Sequence, residues 1–355
     1  MKKNRLSYGL FLALLAAALL ASLVLSMGFG AVSLPAGEVV AAVRDWLIYL
    51  WDRLLGHSAQ LPGGATATIV ISIRLPRVLM AALVGAGLAI SGVVMQAIVR
   101  NPLANPYVLG ISSGATLGAS AAILAGAFRL FGNYGTAFGA FLGALAASAF
   151  VFTVAFSGKG SNSTVKLLLA GMAVNAICTS FTNFLIYTAE DADGIRSVNF
   201  WTQGSLASTT WDMLPLPFAG LLLVGGFFLT QFRPLDVMLL GQDSAVTLGM
   251  DVVRLRKLYM ILSACLTGIM VSMVGTIGFV GLIIPHVIRM FTGSEHRRLM
   301  PAAVLAGGIF LVWCDVFARI YLTNVELPIG VVTGIIGGPF FIYLMLTKQY
   351  GFGGE

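Results

Sequence analysis

Charge is what this chain has least of: charged residues fill 10% of its 355 positions, and only 14 residues are acidic. A water-soluble domain of this length needs far more polar surface, so lipid must solvate much of the chain. Cysteine is scarcer still, with three residues. Cys178, Cys265 and Cys314 lie in apolar stretches with neither metal-ligand spacing nor a disulfide framework, which points to buried thiols. His286 has no second His or Cys at ligand spacing, so a hydrogen-bonded structural histidine is expected, and no metal. Gly158-Lys159-Gly160-Ser161 evokes a phosphate loop, but position 153 is threonine and no Ser or Thr follows the lysine. The segment therefore fails GxxxxGK[ST], no cofactor is expected on this chain, and any ATP must be hydrolysed on a separate polypeptide.

What the chain does have is hydrophobic residues, 58% of the total, and a mean hydropathy of +0.93. Continuous apolar runs of roughly 20 residues, enough to cross a bilayer as helix, recur along its length. They do not alternate polar with apolar, which disfavours a transmembrane barrel. The runs predict an all-α polytopic protein, a single transmembrane domain over 1–355, with about ten spans at 6–28, 78–98, 104–127, 134–156, 166–188, 212–231, 258–276, 279–292, 300–320 and 328–347. The eighth is too short to cross as an ideal helix and is expected to be tilted, broken or re-entrant.

The basic start, Lys2, Lys3 and Arg5, precedes an apolar run too long for a signal h-region, so a retained first helix with a cytoplasmic N-terminus is expected. An even number of spans then returns the C-terminus to the cytoplasm. Of the 21 basic residues, 14 fall on the cytoplasmic side of this topology and seven (Arg44, Arg53, Arg74, Arg77, Arg129, Arg196, Arg319) outside, the expected positive-inside bias. This also accounts for the net charge of +7 without nucleic acid.

Three segments between spans are long. The external stretch 30–77 carries Trp46, Tyr49 and Trp51 and suits the headgroup layer. The external stretch 189–211 has room for a short helix. The cytoplasmic stretch 232–257 is polar enough to meet a soluble partner. A weak internal repeat at an offset of 183 aligns Ala81 with Ala264, Gly85 with Gly268, Gly92 with Gly275 and Pro102 with Pro285. The paired spans run in opposite senses, as an inverted repeat requires.

Most glycines within spans fit close helix packing. Breaks that combine Gly with Pro are different, because they free backbone groups inside the membrane. From Gln96 to Ala115 two prolines, Pro102 and Pro106, stand four residues apart and cannot share one smooth helix. Gln96, Asn101 and Asn105 can satisfy the exposed backbone, either as a tight turn or as a constriction lining a path. A second break is expected between Gly275 and Pro285, with Arg289 reaching cytoplasmic headgroups.

Arg74-Leu-Pro-Arg77, Asn101-Pro-Leu-Ala104, Gly278-Phe-Val-Gly-Leu-Ile-Ile-Pro-His286 and Glu326-Leu-Pro-Ile-Gly-Val331 resemble, in order along the chain, the signature blocks of the FecCD family. These are permeases of binding-protein-dependent ABC importers for iron–siderophores, haem and cobalamin. The resemblance implies an inverted-repeat fold of ten helices in the bacterial cytoplasmic membrane. It implies a dimer with an identical or paralogous permease, two cytoplasmic ATPase subunits, and an external substrate-binding protein. It implies external docking by Arg74, Arg77 and Arg319, whose guanidinium forks suit partner carboxylates. The stretch 233–249 resembles the coupling-helix region, with Leu240, Gly241, Asp243, Ser244, Ala245, Leu248 and Gly249 meeting the ATPase. The cytoplasmic gate would involve Asn101 and Leu103 beside Gln96 and Pro102, with Ser163 and Thr164 before the fifth span. Iron–siderophore is the expected cargo, with haem and cobalamin as alternatives.

A different class, the ion-driven secondary transporter, usually needs intramembrane carboxylates. Asp315 alone lies clearly within a span, four residues before Arg319, where pairing is plausible. A membrane-embedded enzyme needs a nucleophile–base pair or a metal cluster, and neither is apparent.

Overall fold

The computed structural model describes residues 2–30, 32–58, 61–157, 164–322 and 325–347, with the backbone alone at 2–7, 164, 242–244 and 347. It is all-helical, without a strand among the described residues. The helices are α1 (Lys2–Ser26), α2 (Ala36–Leu54), α3 (Ala65–Val99), α4 (Ile111–Leu124), α5 (Gly135–Phe156), α6 (Thr164–Thr188) and α7 (Ala192–Thr202). They continue with α8 (Trp211–Thr230), α9 (Phe232–Leu239), α10 (Gln242–Thr247), α11 (Val252–Val274), α12 (Val280–Thr292), α13 (His296–Ile320) and α14 (Ile329–Thr347). Eight are long and apolar enough to cross a membrane, and α4 and α12 are shorter apolar helices.

Those two short helices organise the fold. With 14 and 13 residues they rise only ~21 and ~20 Å, so each is preceded by irregular chain that covers the remaining depth. The order long, short, long, long occurs twice, as α3–α6 and as α11–α14. Each helix of the second set comes five spans after its counterpart, so corresponding helices run in opposite senses. The expected inverted arrangement is thus visible as a pattern of helix lengths.

Small residues let these helices touch backbone to backbone. A Cβ at Gly85 would collide with the Gly307 carbonyl, one at Gly92 with that of Gly281, and one at Gly118 with that of Gly139. Each collision fixes a contact in which only glycine fits, α3 against α13, α3 against α12, and α4 against α5.

Several expected boundaries move. The third span does not begin at 104: Asn101 Oδ1 accepts from the Leu103 N–H (2.8 Å) and Asn105 Oδ1 from the Tyr107 N–H (3.2 Å), so both asparagines hold turns instead of helix. The second span begins 13 residues early, because α3 runs without interruption from Ala65 through a π-helical stretch at Ile69–Arg74. The external stretch 30–77 is therefore a loop only in part. Pro285 lies inside α12 and does not break it. The break falls at 275–279, where Gly275 (φ 76°) and Phe279 (φ 67°) turn the chain.

Alternation puts α2, α7 and the ends of α11 and α13 on one face, and α9, α10 and the starts of α11 and α13 on the other. α2 buries Val39 and Ala42 and turns Leu47 and Trp51 outward, an amphipathic helix suited to the membrane surface. Trp46 stacks on Trp211 with centroids 5.3 Å apart.

Candidate functional site

The arginines expected to dock a partner lie on the α2 face, but not in the open. Arg74, Arg77 and Arg319 are each only 7% exposed. Arg77 Nε donates to Asp315 Oδ1 (2.9 Å) and its Nη1 to both oxygens of Glu326 (3.0 and 2.9 Å). Arg319 Nε lies 3.0 Å from Asp315 Oδ2, an ionic contact without hydrogen-bond alignment. Its other nitrogens donate to the carbonyls of Phe29 (3.0 Å) and Ser26 (3.3 Å). Arg74 donates to the carbonyls of Met27 and Val32. Most donors of these guanidinium groups are engaged within the chain, on the carboxylates of Asp315 and Glu326 and on carbonyls near the end of α1. Three cations meet two carboxylates, and the carbonyls at the end of α1 absorb the excess positive charge. Glu326, with 44% of its side chain exposed, is the member that reaches the surface.

The π-helical stretch has a local consequence. Its wider turn leaves the Ile71 carbonyl free to accept from Trp211 Nε1 (2.9 Å), which ties α3 to α8 beside the arginines.

The two breaks approach from opposite faces and meet inside the protein. Tyr107, between α3 and α4, donates its hydroxyl proton to the Ile277 carbonyl (2.8 Å) between α11 and α12. The second break also holds α7 and α14. Ser205 N–H donates to the Val274 carbonyl (2.8 Å), and the N–H groups of Ile329 and Gly330 donate to the carbonyls of Gly204 and Gln203 (3.0 Å each). These bonds satisfy backbone groups that lipid could not.

Of the expected gate residues, Gln96 is buried at the end of α3, where its Oε1 accepts from Arg289 Nη2 (2.9 Å) and its Nε2 contacts the Leu282 carbonyl (3.5 Å). Arg289 is thus turned inward onto Gln96 and not toward headgroups. Asn101, Pro102 and Leu103 form the half-buried turn that follows, with Arg100 at φ 53°. Ser163 lies outside the described residues, as does the side chain of Thr164.

On the α9 face, the two short helices α9 and α10 join α8 to α11 and bury one side each. Ala245 is fully buried, whereas Leu240, Val246 and Leu248 are exposed. Gly241 (φ 110°) and Gly249 (φ 80°) bracket α10 in a conformation that side chains strain. Gln242 opens α10, and the side chains of Asp243 and Ser244 lie outside the described set. The anchors are inward: Leu235 and Met238 are buried, and Tyr259 donates to Gln231 Oε1 (2.8 Å).

Sequence reasoning missed a stripe on α6. Asn175, Thr179 and Asn183 are all exposed, and their i, i+4, i+8 spacing aligns them on one side of the helix. None has a hydrogen-bond partner among the described residues. Amides facing hydrocarbon are costly, so this side of α6 faces water or another polypeptide. The signal was present in the sequence as polar residues at helical spacing within an otherwise apolar span.

The FecCD transport family matches residues 18–347. The chain belongs to that family. Its relatives include the hemin transport system permease protein of Yersinia pestis, 40% identical over 79% of this chain and 84% of that one. The cobalamin import system permease protein of Halobacterium salinarum is 39% identical over 84% of this chain and 80% of that one. Among solved structures, an inward-facing ABC transporter described as of metal-chelate type superposes with a TM-score of 0.79 at 32% identity, covering 95% of this chain and 99% of that one. This FecCD protein is an ABC importer permease, a multi-span membrane subunit. Its buried arginine network and its α9–α10 segment lie on opposite faces of the helical body.

Proposed function

We propose that this FecCD permease forms a dimer in the cell membrane and passes a bulky metal chelate inward between its subunits, driven by ATPase subunits seated on α9 and α10. The observation that carries this reading is the α6 stripe of Asn175, Thr179 and Asn183, exposed and unpaired on the single chain. Neutral amides and a hydroxyl suit a path that must not bind its cargo tightly. The α9 face is cytoplasmic in this reading. Arg100, Arg233, Arg254, Arg256, Lys257, Arg289, Arg297 and Arg298 all belong to it, in keeping with the positive-inside rule.

Leu240, Val246 and Leu248 are the apolar knobs that meet the ATPase, and the Gln96–Leu103 turn beside them is the gate. An external binding protein docks on the α2 face, where Glu326 is accessible and the surplus positive charge around Asp315 suits an acidic partner. Arg77 and Arg319 support that rim from beneath.

The relatives named for hemin and cobalamin favour a macrocyclic metal chelate as cargo. The resemblance alone had favoured an iron–siderophore, which remains the second reading. Ion-driven transport is less well supported, because Asp315, the carboxylate within a span, is already paired with Arg77 and Arg319.

The test is uptake by the permease reconstituted in liposomes with its ATPase and binding protein, offered hemin, cyanocobalamin and a ferric siderophore separately. ATP-dependent uptake of one macrocycle supports the reading, and selective uptake of the ferric siderophore replaces the cargo. Accumulation without the ATPase sinks the mechanism.

A further inference from the structure

A force applied to α9 and α10 moves the membrane-spanning body only through the groups that join them, and one junction differs from the rest. Asp236, in the middle of α9, accepts twice from the first residue of α13: from the His296 backbone N–H (2.9 Å) and from ring Nδ1 (2.6 Å). An ionised carboxylate can only accept, so Nδ1 carries the proton. The imidazole is 1% exposed and the carboxylate 35%. The negative charge also sits at the N-terminus of α13, where the helix dipole favours it. Among the described residues α9 is otherwise held by apolar burial and, at Gln231 just before it, by the neutral Tyr259–Gln231 bond. The Arg233 and Arg297 guanidinium groups rest over the Phe232 ring at 5.7 and 5.9 Å.

The helix held by this bond is the one that reaches the opposite network. From His296 to Asp315 α13 rises ~28 Å, and there Asp315 meets Arg77, which grips the exposed Glu326. α1 braces it along the way. Tyr8 donates to the Arg298 carbonyl (2.8 Å), Trp313 Nε1 to Ser22 Oγ (3.0 Å), and Arg319 to the Phe29 carbonyl (3.0 Å). Bonded at both ends, the α1–α13 pair is a strut between the two faces.

We infer that His296 is a positioning residue for transport: its bond to Asp236 makes α9–α10 and α13 move together and so links ATPase closure to the external docking rim. This rests on the proposed seating of the ATPase on α9 and α10. The role belongs to the Nδ1–H donor, which an asparagine amide can replace from a similar position and an alanine cannot.

The experiment compares His296→Ala and His296→Asn with the unaltered permease, each reconstituted as the full complex. Basal ATP hydrolysis, its stimulation by loaded binding protein, and uptake per ATP are measured. Basal hydrolysis should be unchanged in both variants, reporting intact assembly. For His296→Ala, stimulation and uptake per ATP should fall at least about fivefold, and for His296→Asn they should recover to within about twofold, as loss and replacement of one hydrogen bond to a charged group would give. Wild-type coupling in His296→Ala overturns the inference. So does an Asn variant no better than Ala, or a fall in basal hydrolysis proportional to the fall in uptake, which marks a merely structural role. Uptake by the unaltered permease without any ATPase would instead overturn the proposed function.

Discussion

Asp315 is the residue on which the α2 face depends. It is 1% exposed and stands between Arg77 and Arg319, so its removal leaves two buried cations facing each other. Asp315→Ala is expected to cost about 3–5 kcal/mol, as loss of one partner in a buried ion pair does, and to lower the unfolding temperature and folded yield in detergent. Glu326→Gln removes a half-exposed charge and should cost only about 0–1 kcal/mol. Its effect should appear as tighter binding of the acidic external protein, measured on the immobilised permease, because the variant removes the exposed acid that occupies Arg77. Charge reversal at Arg77 would do both kinds of damage at once, so it cannot separate docking from folding. The pairing of Asp315 with Arg319 was legible in their four-residue spacing. Arg77 was not, because its partners are 238 and 249 positions away, and only the fold brings them together.

Among the elements, α6 and α10 carry the sharpest expectations. Replacing Asn175 and Asn183 together by leucine should preserve or improve insertion, since both amides are exposed in a span, yet reduce uptake several-fold if they line the path. Full uptake by the double variant would assign that face to lipid or to a passive contact. Leu240→Ser with Leu248→Ser exposes no core, because both side chains already face outward. The expected result is a stable permease that no longer co-purifies with its ATPase. At the α4–α5 crossing, Gly118→Leu should abolish folding, since even a Cβ collides with the Gly139 carbonyl. The spans were legible because twenty apolar residues have few other destinations, and the short helices follow breaks marked by Pro102 and Pro106 before α4 and by Gly275 and Gly278 before α12. The limits of α3 and α4 were not. Arg74 and Arg77 marked a loop by their charge, but buried acceptors let them sit in a helix, and Asn101 and Asn105 stopped α4 from starting early.

For the whole molecule, orientation follows from alternation once one face is fixed. A cysteine placed at Val246, in a variant lacking Cys178, Cys265 and Cys314, should react with an impermeant maleimide in inside-out vesicles and not in intact cells. The opposite labelling would invert every assignment of face. The family was legible from four short blocks read in order, because each marks a place where backbone geometry is constrained. The cargo was not, since a path lined by neutral amides records little about what passes.

The length of α3 has a consequence beyond packing. Its 35 residues extend ~52 Å, against a hydrocarbon slab of ~30 Å. In the proposed orientation the surplus, tied by Trp211 to α8 and by Arg74 to the end of α1, would raise the outer rim clear of the acyl chains on a rigid pedestal. Thickening or thinning the lipid by a few ångströms should therefore leave the height of that rim above the neighbouring helices unchanged.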